Sequence, residues 1–182
     1  MSAVPAPLPK RRLVLQAAVA ANGTIGAAGG LPWDIPADYE SFLASTAGGV
    51  VVVGRKSLWD GACSDGRRAI VLSRDAAYAP AAGAAVAVAR TFAEALAIAD
   101  ALPGGDGVLH VCGGAGVYAE ALAQADRGVT LRLTEVHADF DGDRAFPDWR
   151  AAGAWEERSR SRGRHGDLEF SFVVLERVGG AK

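Results

Sequence analysis

The chain has 182 residues, half of them hydrophobic, and a formal net charge of −2 at pH 7. This length fits a single domain with a continuous core, and a net charge near zero argues against general affinity for nucleic acid. No apolar run is long enough to span a membrane, two cysteines are too few for a disulfide framework, and no His/Cys cluster has metal-ligand spacing. We therefore expect a metal-free, cytoplasmic protein.

The first ten residues contain three prolines, and no apolar segment typical of a signal peptide comes after them. We interpret residues 1–10 as a flexible tail. No internal repeat or linker divides the rest of the chain, so residues 11–182 are expected to form one domain.

Near-continuous apolar runs predict buried strands through most of the chain. In order they are Leu13–Ala20, Val50–Val53, Ala69–Leu72, Ala85–Val88 and Val108–Cys112. Helical patterns separate them: one contains Asp38, a short one follows Gly54, and Thr91–Leu102 begins with a capping box and stops before a Pro-Gly pair. This alternation predicts an α/β fold with a mostly parallel central sheet and helices on both faces.

The end of the chain has a different pattern. Leu131–Val136 and Leu168–Glu176 resemble strands with no helix between them, which predicts an antiparallel C-terminal edge. Between them, Arg158–His165 carries four arginines, and spaced arginines can neutralise phosphates. Because no aromatic residues are interleaved for base stacking, we interpret this stretch as a solvated loop.

A stiff apolar loop, with prolines on both sides of Trp33, sets Asp38 at the start of a helix. Tyr39, Phe42 and Leu43 predict an inward apolar stripe, and Asp38 shares a helix face with Phe42. An ionised carboxylate is costly to bury beside aromatic rings unless it is hydrogen-bonded, so a flat ligand offering two N–H donors would suit it. The alternative is that Asp38 only places a negative charge in the first helical turn.

Three predicted strands end in glycine, hydroxyl or cationic residues. These endings are Gly54-Arg55-Lys56-Ser57, Leu72-Ser73-Arg74 and Cys112-Gly113-Gly114-Ala115-Gly116-Val117-Tyr118. Glycines at a strand-to-helix turn let backbone N–H groups approach a phosphate, and open sheets bind ligands at such strand ends. The pattern favours an extended anionic ligand, although the glycines alone could serve a tight turn and the spacing is not the dinucleotide fingerprint.

Taken together, these residues resemble the dihydrofolate reductase family from Leu13 to Arg177. The shared motifs, in order, are Ile25-Gly26, Leu31-Pro32-Trp33, Pro36-Ala37-Asp38, Phe42, Thr46, Gly54-Arg55-Lys56-Ser57, Gly66-Arg67-Arg68, Leu72-Ser73-Arg74, Gly113-Gly114, Val117-Tyr118, Leu133-Thr134, Gly142-Asp143 and Phe146-Pro147. The resemblance implies that NADPH reduces 7,8-dihydrofolate to 5,6,7,8-tetrahydrofolate, with hydride transfer to C6 and protonation of N5. It also implies a monomer that binds antifolate inhibitors and has no nucleic-acid or membrane partner.

The resemblance assigns roles on the substrate side. Asp38 would hold the pterin and favour protonation of N5, with Trp33, Leu31 and Thr134 completing the catalytic set. Substrate-binding residues would be Gln16, Ala17, Ala18, Asp38, Tyr39, Phe42, Arg67, Cys112, Tyr118 and Thr134. Arg67 would pair with the glutamate α-carboxylate through its planar fork.

The resemblance also assigns the cofactor side. Cofactor-binding residues would be Ala18, Ile25, Gly26, Gly54, Arg55, Lys56, Ser57, Leu72, Ser73, Arg74, Cys112, Gly113, Gly114, Ala115, Gly116, Val117 and Tyr118. Two arginines at the adenosine end would favour NADPH over NADH, since a 2′-phosphate needs cationic partners.

Some residues depart from the family pattern. Gln16 stands where a bulky apolar residue is usual. Leu58-Trp59 follows Ser57 where an aromatic residue usually comes first, and the loop from Asp60 to Asp65 is shorter and more polar than the family's. Two alternatives therefore stay open: a reductase of the same architecture acting on a riboflavin-pathway pyrimidine, and a catalytically idle module that binds NADPH or a pterin.

Overall fold

The computed structural model describes residues 9–103 and 105–179, so nearly all of the predicted tail lies outside the described residues. The strands are β1 (Arg12–Ala20), β2 (Thr24–Gly26), β3 (Val50–Gly54), β4 (Arg68–Leu72), β5 (Ala87–Ala89), β6 (Val108–Val111), β7 (Val129–Val136), β8 (Arg144–Ala145), β9 (Ala154–His165) and β10 (Leu168–Val178). The helices are α1 (Pro36–Thr46), α2 (Phe92–Ala101) and α3 (Ala115–Leu122), with short 3₁₀ helices at Arg55–Ser57 and Trp149–Ala152.

Eight strands form one sheet in the order β5-β4-β3-β6-β1-β7-β10-β9. Pairing is parallel from β5 to β7 and antiparallel from β7 through β10 to β9, which confirms the predicted sheet. Leu13 and Leu15 of β1 pack with residues of α2 and α3 in the main core. The helix α1 lies on the opposite face, where Asp38 contacts Thr134 of β7.

The start of α2 confirms the predicted cap. The Thr91 hydroxyl accepts a hydrogen bond from the Glu94 amide at 3.1 Å, and the Glu94 carboxylate accepts one from the Arg90 amide at 2.7 Å. Thr91 thus satisfies an amide donor that has no partner within the first helical turn, and Glu94 holds the residue that precedes the cap.

The interpretation of Arg158–His165 as a solvated loop is wrong, because these residues belong to the edge strand β9. The strand pairs with β10 from His165 opposite Leu168 to Ala154 opposite Val178. Ion pairs tie its arginines to neighbouring strands, at 2.7 Å from Arg158 to Glu176. An edge strand exposed on both faces has no apolar alternation, so its sequence lacks the usual signal of a strand.

The predicted inward apolar stripe of α1 is also only partly present. Tyr39 is 52% exposed, and Thr46 is the one residue of this helix classed as buried. Tyr39 and Phe42 instead line an open cavity beside the sheet. The short strands β2 and β8, which pair with each other, were not predicted from the sequence.

Within residues 9–103 and 105–179, no helix is both long and apolar enough to cross a membrane. The same residues contain no group of three or more side chains placed to hold a metal ion.

Candidate active site

A cavity of about 1160 Å³ lies where β3, β4 and β6 end and where β1 continues past its last pairing with β6. Its wall includes the residues that come after three of these strands: Arg55 after β3, Ser73 after β4 and Cys112 after β6. Ligands bind at the carboxyl ends of strands in open α/β sheets. The structure therefore confirms the prediction that three strand ends meet at one edge of the sheet.

Asp38 is a partly buried carboxylate in this cavity. The Thr134 hydroxyl donates a hydrogen bond of 2.5 Å to Asp38 Oδ1. Burial raises the pKa of Asp38 above its ordinary value, and the hydrogen bond from Thr134 opposes that rise. The group is thus a carboxylate that is costly to ionise, held in one orientation by one donor.

The backbone at the start of α1 explains this orientation. Pro36 occupies the first helical turn, where its missing N–H costs nothing, and Ile35 precedes the helix in an extended conformation. No side chain caps this helix, and the carboxylate of Asp38 reaches across to β7. Asp38 does lie in the first turn, but its side chain contacts the sheet.

Aromatic side chains line the same cavity as the Asp38 carboxylate. The rings of Phe42 and Trp59 lie 5.0 Å apart edge to face, and Trp33 packs on Phe140 at the same distance. The indole N–H of Trp33 is buried and has no hydrogen-bond acceptor among the described residues. The cavity that holds Asp38 therefore also contains flat apolar walls and an unpartnered indole N–H donor, as a planar heterocycle with an ordered water would require.

The opposite wall is fixed by Tyr118. Its hydroxyl donates a hydrogen bond of 2.6 Å to the backbone carbonyl of Gln16. Burial raises the pKa of the Tyr118 hydroxyl and of the Cys112 thiol, so both groups stay protonated at neutral pH. Tyr118 is a positioned donor, and Cys112 is a poor nucleophile.

A glycine turn leads from β6 into α3. Gly113 has a φ of 107°, which favours glycine, and its carbonyl accepts a hydrogen bond of 2.7 Å from the Gly54 amide. A side chain on Gly54 would meet Val117 and the Gly113 backbone at 3.3–3.5 Å. Two glycines thus allow two strand ends to touch at the N-terminus of α3, where backbone N–H groups favour an anion.

Cations at this end of the cavity differ in their partners. Arg55 forms an ion pair of 2.6 Å with Asp75 and lies over the ring of Tyr78. Lys56 and Arg74 line the cavity and have no ionic or hydrogen-bonding partner among the described residues. Arg74 and Lys56 are therefore the cations available to a phosphate.

The structure brings most of the predicted site residues into this one cavity. Those that line it are Gln16, Ala17, Ala18, Ile25, Gly26, Leu31, Trp33, Asp38, Tyr39, Phe42, Gly54, Arg55, Lys56, Ser57, Leu72, Ser73, Arg74, Cys112, Gly113, Gly114, Ala115, Gly116, Tyr118 and Thr134. Val117 is buried behind the glycine turn, and Arg67 lies outside the lining. Arg67 is 3% exposed and bonds to the Leu43 carbonyl and Asp65, while its Nε has no partner among the residues described.

The cavity also includes residues that the sequence reasoning missed, among them Ser41, Trp59, Arg132, Phe172 and Val174. Arg132 could have been found, because it lies two residues before Thr134 on the same strand and so shares its face. Phe172 and Val174 pair with Thr134 and Arg132 across an antiparallel ladder. No local pattern reveals that pairing.

Comparison with known proteins agrees with this geometry. Residues 4–177 match the family model described as dihydrofolate reductase. A dihydrofolate reductase of Neisseria gonorrhoeae is 37% identical over 170 residues, covering 89% of this chain and 96% of the relative. Dihydrofolate reductase HdrB of Haloferax volcanii is 37% identical over 172 residues, covering 91% and 84%. The solved structure of dihydrofolate reductase from Enterococcus faecalis, complexed with NADP(H) and RAB-propyl, superposes with a TM-score of 0.77 at 28% identity, covering 93% of this chain and 98% of that one.

Proposed function

The chain belongs to the dihydrofolate reductase family, and from that premise we propose how its cavity reduces dihydrofolate with NADPH. The observation that supports the proposal most strongly is the partial burial of the Asp38 carboxylate. Asp34, Asp75 and Asp143 also line the cavity but are exposed, whereas Asp38 is partly buried. Burial raises the pKa of Asp38, and a desolvated acid among aromatic walls is typical of a catalytic position.

The residues at the α3 end fit NADPH. The glycine turn at Gly113 and Gly114 offers backbone approach to a pyrophosphate, and Arg74 and Lys56 are free to meet the phosphate at the adenosine end. The backbones of Ala18 and Ile25, which also line the cavity, would hold the carboxamide of the nicotinamide. When bound there, NADPH supplies the hydride that adds to C6 of the substrate.

Asp38 orients the pterin. As a carboxylate it would accept two hydrogen bonds, from the 2-amino group and from N3, while Thr134 holds its Oδ1 atom. This contact favours the protonated form of the ring system at N5. The proton itself would come through a water held by the free N–H of Trp33, because a carboxylate bound at N3 lies on the other side of the ring from N5.

The loop before α1 would close the site. Leu31 lines the cavity yet is 52% exposed, so it can move without disturbing the core. We assign it the task of covering the nicotinamide and excluding water during transfer. The glutamate tail of the substrate would bind near Arg67, whose buried guanidinium has an N–H with no acceptor among the described residues.

Steady-state oxidation of NADPH tests the proposal. We expect turnover with 7,8-dihydrofolate and none with a ribosylamino-pyrimidine phosphate. Turnover with the pyrimidine but not with 7,8-dihydrofolate would indicate the alternative reductase. Tight binding of NADPH without oxidation in the presence of either substrate would indicate an idle binding module.

A further inference from the structure

The cavity continues past Asp38 along β7 and β10, away from the residues that the proposed reaction uses. Thr134 of β7 lies opposite Phe172 of β10. Two residues earlier on β7, Arg132 lies opposite Val174. Alternate residues of a strand share a face, so these side chains are on the α1 side of the sheet. Arg132, Phe172 and Val174 all line the cavity, and they form the floor of what we call the rear groove.

Helix α1 forms one side of the rear groove. Ser41 comes three residues after Asp38, so the two side chains share a helix face, and both line the cavity. Residues 47–49 join α1 to the start of β3, so the helix runs antiparallel to β3 and to β7. One helical turn of about 5.4 Å and two strand residues of about 6.6 Å are similar steps. Because Asp38 contacts Thr134, the small side chain of Ser41 lies beside the part of the floor that contains Arg132.

Arg132 is an exposed cation without a carboxylate partner. Its side chain forms neither an ion pair nor a hydrogen bond with the rest of residues 9–103 and 105–179. The arginines of β9 differ: Arg158 pairs with Glu176 at 2.7 Å. Arg160 pairs with Glu135 at 2.6 Å. Glu176 is on the same face of β10 as the groove floor, so its pairing with Arg158 leaves the charge of Arg132 unbalanced.

The strand on the other side of Arg132 presents a neutral pair. Gln16, opposite Arg132 on β1, is 7% exposed, and its Nε2 atom lies 3.1 Å from Nδ1 of His110, which is 5% exposed. Burial lowers the pKa of His110, Asp106 at 3.9 Å from its Nε2 atom raises it, and Arg132 lowers it. Since the net shift is downward, His110 is neutral at pH 7 and Arg132 keeps its positive charge beside neutral neighbours.

A free guanidinium beside an apolar floor is suited to an anion with a flat apolar body. The guanidinium can donate two parallel hydrogen bonds to a carboxylate, and an aromatic ring can pack on Phe172 and Val174. We propose that the rear groove is a second binding site, which takes a small aromatic carboxylate and holds it through Arg132 and the Ser41 hydroxyl.

The rear groove is separate from the position assigned to the glutamate tail of the substrate. Arg67, the residue assigned to that tail, donates a hydrogen bond of 3.1 Å to the Leu43 carbonyl and lies outside the cavity lining. Leu43 comes two residues after Ser41, which places the two side chains on opposite sides of α1. The inference therefore does not depend on the proposed function.

Binding of benzoate to the full chain tests the proposal. Benzamide is the neutral analogue of nearly the same shape, and acetate is a carboxylate without a ring. Dissociation constants would be measured by ligand-observed NMR titration, with and without NADP⁺. We expect benzoate to bind with a Kd of about 1 mM, and benzamide and acetate at least about tenfold more weakly. NADP⁺ should not displace benzoate.

Substitutions at the groove locate the bound benzoate. Arg132→Leu should weaken benzoate binding about tenfold and change benzamide binding by less than about twofold, whereas Arg132→Lys should keep most of the affinity. Arg162→Leu is the matched control, because it removes an exposed arginine that lies opposite Ser171 on the other face of the sheet. It should leave benzoate binding unchanged. Ser41→Phe should fill the groove and weaken benzoate binding by about tenfold or more.

Several results would overturn the proposal. They are equal binding of benzoate by the wild type and Arg132→Leu, equal binding of benzoate and benzamide, displacement of benzoate by NADP⁺, and no binding of benzoate at about 50 mM. Since Arg132 is exposed, its variants decide the question even if Ser41→Phe does not fold. Each of these results would leave the turnover of dihydrofolate, and so the proposed function, untouched.

Discussion

The two ends of the cavity use charge in opposite ways. At the α1 end, Asp38 is partly buried and its side chain has one hydrogen-bond partner among the described residues, the Thr134 hydroxyl. At the α3 end, Arg74 and Lys56 are exposed and the backbone turns through two glycines.

This contrast suits the α1 end to proton transfer and the α3 end to phosphate binding. Desolvation of a single acid changes which protonation state is stable, and that is what proton transfer requires. Solvated cations are suited to hold phosphates. Substitutions at the α1 end should therefore change rates and pH profiles, while substitutions at the α3 end should change cofactor affinity.

The largest effect is expected from Asp38→Asn. At pH 7 this variant should lose about 10²- to 10⁴-fold in turnover, because the neutral amide no longer favours protonation at N5. Activity should partly recover in acid, where substrate protonated in solution supplies the missing proton. Glu40→Gln, an exposed change on the same helix, is the control. A near-native rate for Asp38→Asn at pH 7 would contradict the assignment.

A smaller effect is expected at the cofactor end. Arg74→Leu should raise KM for NADPH by about tenfold to a hundredfold and leave KM for NADH nearly unchanged, since Arg74 is free to meet the extra phosphate. Arg55→Leu should do less, because Arg55 already pairs with Asp75 at 2.6 Å. Steady-state kinetics with both cofactors decides the comparison, and equal losses for the two variants would show that Arg55 leaves Asp75 to bind phosphate.

Thr134→Val should move the pH profile. Removing the hydroxyl that lowers the pKa of Asp38 lets burial raise this pKa further, so the acid limb of kcat/KM should shift to higher pH. We expect about a tenfold loss of kcat/KM at pH 7. Thr134→Ser keeps the donor and should resemble the wild type. An unshifted profile for the valine variant would mean that the hydroxyl does not stabilise the carboxylate.

The smallest effect is on stability. The pKa of Asp38 is higher in the folded protein than in the unfolded chain, so ionising this carboxyl group costs more free energy in the folded state. The free energy of unfolding therefore falls as the pH rises from the unfolded pKa through the folded pKa. Asp38→Asn should therefore raise the free energy of unfolding at pH 7 by on the order of 1 kcal/mol, while its amide oxygen still accepts from Thr134. Urea unfolding at pH 7 and pH 4 measures this. The stability gained by the variant should be smaller at pH 4, where the wild-type carboxyl is increasingly protonated. A variant that is less stable than the wild type at pH 7 would contradict this prediction.

Buried strands were predictable because burial itself leaves a signal. The four valines of β3 are fully buried, and such a run has few alternatives to a strand covered on both faces. β9 gives no such signal, since its residues are polar on both faces. The Gly166-Asp167 pair, with Gly166 at φ 58°, did carry a local hairpin signal that would have marked it.

The site was predictable to a similar extent. The local pattern marked Asp38 as a candidate but left open the alternative that it only charges the first helical turn, and the family resemblance supplied its role. The structure places Asp38 in the lining of the cavity. The partner of its carboxylate lies 96 residues away, and Gln16 and His110 lie 94 residues apart. Such contacts are set by strand order and register, so only the resemblance pointed to Thr134, and nothing in the sequence pointed to His110.

A crystal structure with NADP⁺ and folate bound together tests the central claim most directly. We predict that the Asp38 carboxylate lies within hydrogen-bond distance of both the 2-amino group and N3 of the pterin, with the nicotinamide against the other face of the ring. An Asp38 side chain turned into solvent, with the pterin held by other groups, would contradict the account.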